Sequence, residues 1–236
     1  MKHAMWRMCL AACLCLSLNS GVLAQVNLPL GGTLNVPADG SMNLGCVPLN
    51  VLGAFNLNSG QVSNTGGVSI GAGGNLNGGS GILSVSGNWN NSGTFVPGSG
   101  SVIFTDGCAS GPIQINGTTV FNNLSLSSST GRNFIFPSGS WITITGTLTL
   151  QGTGQPIALF TAGDRTTIRM APGSQLVSNN VTGYHLDQNG YVIIEPPTIP
   201  TLSEYGVILL SLLMALTVLW RARGTSFGAK RKNQHL

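Results

Sequence analysis

Charge is what this chain lacks most. Only 7% of its 236 residues are Asp, Glu, Lys or Arg, against roughly a quarter in a typical globular domain, which argues against an ordinary soluble enzyme surface. No lysine occurs between Lys2 and Lys230. Residues 25–198 hold Arg132, Arg165 and Arg169 against Asp39, Asp106, Asp164, Asp187 and Glu195: three cations and five anions, a net of −2. Nucleic acid is thereby excluded as a partner of this stretch, because phosphate binding needs a cationic face. The same stretch lacks any helical periodicity longer than two turns, which rules out a helical bundle. It has one histidine, His185, beside Tyr184 and Asp187, and no acid–base or nucleophilic constellation around it. Gly71-Ala72-Gly73-Gly74-Asn75 has no Lys-Ser/Thr after it and is no phosphate loop. Asp187-Gln188-Asn189-Gly190 opens like a calcium loop but lacks the closing glutamate, and reads as a turn. No cofactor is expected.

Apolar sequence and positive charge are instead concentrated at the ends. Lys2 and Arg7 precede the apolar run Met8 to Leu18, and Val22-Leu23-Ala24 presents modest side chains ahead of Gln25. This reads as a signal peptide over 1–24, with a signal helix, handled by the Sec translocon and cut by signal peptidase between Ala24 and Gln25. Near the other end, Tyr205 to Trp220 carries no charge across 16 residues, about 24 Å of helix. With Tyr205 and Trp220 at the interfaces it reads as a single transmembrane helix over 205–220. Arg221, Arg223, Lys230, Arg231 and Lys232 follow. By the positive-inside rule they keep the tail, 225–236, cytoplasmic and everything upstream outside.

Directly before that segment stands Ile199-Pro200-Thr201-Leu202-Ser203-Glu204-Tyr205-Gly206. The order of this octapeptide, a Leu-rich span and then arginines resembles the IPTL-CTERM family of C-terminal sorting signals of Gram-negative bacteria, over residues 199–224. Tyr205 stands where the family usually has Trp. The resemblance implies processing by an exosortase-type membrane enzyme. It also implies an inner-membrane-anchored precursor and a product at the cell surface or outside the cell. Pro196, Pro197 and Pro200 disfavour helix and hold an extended strip ahead of the span.

Between the ends, residues 25–198 read as one domain of short strands. Apolar or alternating runs at Val47–Val51, Val68–Ile70, Ile82–Val85, Thr94–Val96, Val102–Thr105, Ile113–Ile115 and Thr118–Phe121 are separated by Gly, Asn and Ser. The pattern continues through Leu124–Leu126, Phe134–Phe136, Trp141–Thr145, Thr147–Leu150, Ile157–Phe160, Thr166–Met170 and Tyr191–Ile194. Centres every 8–12 residues indicate an all-β fold. Nineteen Asn with no Lys suit the stacked amide ladders of a parallel β-helix, or β-solenoid, better than a β-sandwich, whose edges need charge. Coils of about 20–25 residues would number seven or eight. Gln25–Leu44 and Tyr191–Ile194 are the expected caps.

Cys46 and Cys108 are the two cysteines downstream of residue 24; in an exported chain that parity predicts a disulfide. The expected function is an exported, non-enzymatic surface or matrix protein, adhesive or structural, with polysaccharide as the favoured partner. The alternative is a polysaccharide-cleaving β-helix enzyme using Asp106 and Asp164, near Arg165 and Arg169, from neighbouring coils.

Overall fold

Thr33-Leu34-Asn35, Ala54-Phe55-Asn56 and Asn75-Leu76-Asn77 each carry one large apolar residue between small or polar ones. In extended chain alternate side chains point to opposite faces, so each triplet turns its centre inward and its flanks to water. Placed about 21 residues apart, they stack: Leu34 lies beside Phe55 and Phe55 beside Leu76. This small unit, repeated on three faces, builds the molecule.

The computed structural model describes residues 24–196, 206, 208–217 and 220. The chain divides into two units, Met1–Pro196 and Pro197–Leu236. The first is an all-β parallel β-solenoid of about seven turns. Its first four coils each hold three strands: β1 (Val26–Leu28), β2 (Thr33–Asn35) and β3 (Ser41–Asn43); β4 (Leu49–Val51), β5 (Ala54–Asn56) and β6 (Gln61–Thr65); β7 (Val68–Ile70), β8 (Asn75–Asn77) and β9 (Ile82–Val85); β10 (Trp89–Asn91), β11 (Thr94–Val96) and β12 (Ser101–Phe104). In the fifth coil β13 (Ile113–Phe121) runs through two faces before β14 (Asn123–Thr130). Then come β15 (Asn133–Pro137), β16 (Trp141–Ile144) and β17 (Thr147–Gln155), followed by β18 (Ile157–Ala162), β19 (Thr166–Met170) and β20 (Gln175–Asn179). The chain closes with β21 (Val181–Thr182), β22 (His185–Leu186) and β23 (Val192–Ile194).

Every pairing through β21 is parallel, which identifies a solenoid rather than a sandwich. Face one stacks β1, β4, β7, β10 and the start of β13, then β15, β18 and β21. Face two stacks β2, β5, β8 and β11, and β13 continues it through Thr118–Phe121 to β16 and β19. Face three stacks β3, β6, β9, β12, β14, β17 and β20. Inward residues form continuous columns, as in Met42, Val62, Leu83, Val102, Leu124, Leu148 and Leu176 along face three. Apart from the half-buried Met42 and Leu176 at its two ends, this column is buried.

Two expectations need correction. Gln25–Leu44 is no separate cap; it forms a regular first coil, β1 to β3, because one inward residue per strand suffices there. Ile113–Ile115 and Thr118–Phe121 are one strand, redirected within itself at Gly117, whose φ of 91° favours glycine. Tyr191–Ile194 does sit at an end. There β23 pairs antiparallel with both β19 and β22, so a hairpin covers the edge of face two.

In the second unit, residues 206, 208–217 and 220 are helical. Among the described residues no helix is long and apolar enough to cross a membrane. The expected signal helix, and residues 205, 207, 218 and 219 of the expected transmembrane helix, lie outside the described residues.

Candidate functional site

Outward residues on the faces also stack, and the amides among them bond to one another. On face one Asn27, Asn50, Ser69, Asn90 and Asn116 fall in register. Within this column the Asn50 Nδ2 donates to Asn27 Oδ1 at 2.9 Å and the Asn116 Nδ2 to Asn90 Oδ1 at 2.6 Å. On face two the Asn56 Nδ2 donates to Asn35 Oδ1 at 2.7 Å. These ladders present rigid, neutral rows of donors and acceptors.

The corner joining faces three and one holds the disulfide. After β12 the loop 105–112 leaves the fourth coil and runs back along the stack. The Thr105 hydroxyl meets the Ser86 hydroxyl at 3.2 Å, and Cys108 is bonded to Cys46 beside the first coil, with Cα atoms 5.3 Å apart. The corners beneath are stripped of side chains. A Cβ on Gly87 would strike the Gly66 carbonyl oxygen, and one on Gly66 the Cys46 carbonyl oxygen. Arg132, 3% exposed, secures the loop from the other side: its Nε donates to Gly111 O at 2.7 Å, and its Nη1 to Ser86 O and Thr105 O, both at 2.9 Å. Burial pulls the Arg132 guanidinium below its ordinary value, and the Asp106 charge partly restores it. Burial likewise opposes the Asp106 carboxylate, but the Ser129 amide and the Ser128 and Ser129 hydroxyls donate to it and hold it below the usual carboxylate value. A cleft of about 410 Å3 lies between this loop and the face-one ladder, lined by Asn50, Ser69, Asn90, Pro112 and Arg132 among others.

A second cleft, of about 470 Å3, opens on face two beside the terminal hairpin. Trp141, first residue of β16, points outward and is 54% exposed. The Arg169 guanidinium carbon sits 4.7 Å from the centroid of its ring, a cation–π contact. Arg165 Nη1 lies 3.5 Å from Glu195 Oε1. Asp187 and Tyr191 close the far side. The Asp187 carboxylate accepts from the Asn189 and Tyr191 amides at 2.9 and 2.8 Å. These bonds, with Arg165 nearby, outweigh desolvation and hold it below the usual carboxylate value. The turn expected at 187–190 is therefore built around its own acid.

Several sequence-derived candidates are dispersed. Asp106 lies at the corner after β12 and Asp164 in the turn between β18 and β19, so they do not stack in neighbouring coils. His185 is exposed on β22. Ala24 and Gln25, the expected cleavage pair, are exposed just ahead of β1. Of the sorting motif only Gly206 is described, as helical; Ile199, Pro200, Thr201, Leu202, Ser203, Glu204 and Tyr205 lie outside the described residues. So do Arg221, Arg223, Lys230, Arg231 and Lys232. Sequence reasoning placed Trp141 only as a strand residue and missed the cleft around it. The legible signal was its place at the start of a strand whose Ile142 and Ile144 already fill the inward positions.

Among known families, residues 198–224 match the IPTL-CTERM motif. No curated protein and no solved structure matches the chain. The motif implies a C-terminal sorting signal, so the chain is an exported protein: a parallel β-solenoid of about seven turns bearing an IPTL-CTERM motif.

Proposed function

We propose that this protein is a non-enzymatic component of the cell surface or extracellular matrix, adhesive or structural in role. It enters the Sec translocon by a signal peptide and is anchored for a time by its C-terminal helix in the inner membrane of a Gram-negative bacterium. An exosortase-type enzyme then processes it at the sorting motif. One observation carries this reading: a sorting motif follows a covalently clipped, nearly uncharged solenoid whose outer faces are ladders of Asn, Ser and Thr. Amides and hydroxyls contact polysaccharide through many weak hydrogen bonds and need no net charge. The enzymatic alternative requires two carboxylates flanking one bond. The separate corners of Asp106 and Asp164, and the commitment of Asp106 to Ser128 and Ser129, speak for the non-enzymatic reading.

Mass spectrometry of the protein recovered from envelope and medium tests the processing. The expected termini are Gln25 at one end and a residue at or near 199–206 at the other. The full polypeptide, Met1 to Leu236, found intact in cytosol would overturn export and processing together. Unaltered surface attachment and matrix formation in cells lacking the protein would overturn the adhesive role.

A further inference from the structure

Eight charged side chains serve residues 25–198. If they only kept the rod wet they would be scattered along it. Four of the eight, Arg165, Arg169, Asp187 and Glu195, instead gather at the cleft on face two. Trp141, the sole exposed aromatic residue within 24–196, is there with them. We propose that this cleft binds a carboxylate-bearing sugar unit of an acidic polysaccharide.

The argument turns on which charges are already committed. Glu195 faces Arg165 at 3.5 Å, and Asp187 accepts the amides of its own turn. Arg169 has no carboxylate within ion-pair distance among the described residues. Its guanidinium carbon lies over the Trp141 ring, 4.7 Å from the centroid, and in that position its N–H groups can meet a planar carboxylate in bidentate geometry. The rest of the exposed indole offers a negative π face to the weakly positive C–H groups of a pyranose ring. A ligand that uses both must carry a carboxylate next to a flat, apolar ring face. Uronic acid units have this combination; inorganic anions lack the ring and neutral sugars lack the charge. The volume, about 470 Å3, falls in the range of small-molecule sites. Thr118 lies opposite Trp141 on the strand below and Thr167, on the strand above, lines the cleft, extending a polar track along the stack for further units of the polymer.

This inference rests on the surface or matrix reading for its biological ligand, while the binding itself can be measured apart from it. The full chain in detergent is titrated with oligogalacturonate, with the same oligosaccharide after reduction of its carboxyl groups to hydroxymethyl groups, and with inorganic sulfate. Oligogalacturonate should bind, and the reduced oligosaccharide about tenfold more weakly or worse, as loss of a charge-assisted hydrogen bond implies. Arg169→Gln should weaken binding by a similar factor and Arg169→Lys restore only part of it, because lysine keeps the charge without the planar fork. Trp141→Ala should lower affinity for both oligosaccharides. Leu30→Ser, at a residue 78% exposed in the turn between β1 and β2 of the first coil, should leave both affinities unchanged. Arg169 is exposed, so the Arg169 variants keep the test valid should Trp141→Ala fold poorly. Equal affinity for the reduced oligosaccharide, unchanged binding by Arg169→Gln, or displacement by sulfate at matched concentration would each overturn the proposal. A surface-located, folded chain that binds no oligogalacturonate defeats the cleft and leaves the surface role standing; a cytosolic chain that binds it does the reverse.

Discussion

Asp106 is held by donors rather than by a salt bridge, and this sets how the protein responds to acid. Its carboxylate, like that of Asp187, titrates below the ordinary range in the folded chain because amides and hydroxyls point at it. The unfolded chain takes up a proton at about pH 3.9, so the stabilisation is complete above that pH. It is lost as pH falls through the lower folded value. The melting temperature should therefore be level from neutrality to about pH 5 and fall below about pH 4. Asp106→Asn should cost about 1–2 kcal/mol at neutral pH and flatten the acid limb; an unchanged limb would show that the corner does not depend on this charge. In the core, Ile144 is wholly buried. Ile144→Asp should destabilise by several kcal/mol through an unpaired buried charge, read as a drop in denaturation midpoint. Single residues also explain which strands were hard to see. Leu34, Met42, Phe55 and Leu76 are each the lone inward residue of a three-residue strand whose other members are Asn, Ser, Thr or Ala. A lone apolar side chain between asparagines has no alternation to detect, so β2, β3, β5 and β8 escape a reading that needs two inward residues.

The loop 105–112 and the terminal hairpin are the two elements that depart from the repeat. Joining Cys46 to Cys108 closes a span of 62 residues, worth about 4 kcal/mol if its effect is loop entropy. Reduction should lower stability by up to that amount. The first amides to exchange should be those of 105–112, because Arg132 and Cys108 are what fasten that loop. Hydrogen exchange with and without reductant checks this; uniform acceleration along the chain would contradict it. At the other end Val192 and Ile194, both fully buried, seat β23 on β19. Val192→Asp should lift the hairpin, bare a parallel strand edge and drive association, visible as a rise in mass by light scattering. Elements with two or more inward apolar residues were legible, and Val68–Ile70, Ile82–Val85 and Thr166–Met170 match the observed strands; Thr94–Val96, with Phe95 alone turned inward, was legible because all three of its residues favour strand. The Trp141 cleft was not, since its parts are brought together by the step from one coil to the next and by a hairpin whose antiparallel return has no counterpart in the repeat.

For the molecule as a whole, the near absence of charge makes salt almost irrelevant to its stability. One exposed ion pair, Arg165 with Glu195, is present among the described residues, and such pairs contribute about 0–1 kcal/mol. Sodium chloride between dilute and half-molar levels should shift the melting temperature by no more than about 3 °C. A larger shift would mean that long-range electrostatics matters to the stack. The architecture was legible because asparagine without lysine points to ladders that continue from coil to coil; the three-sided cross-section was not, because corners are spelled in glycine and serine that read alike everywhere. The repeat has a further meaning for a chain threaded outward from its amino end. Every parallel partner lies only 19 to 28 positions upstream, so each newly delivered segment finds its template already laid down and assembly proceeds in step with delivery. In the proposed export from the amino end, Cys108 would emerge once four coils exist, and its bond would lock that foundation while later rungs are still arriving. The reversed hairpin comes last and terminates the series just as the sorting signal behind it becomes the next sequence in line.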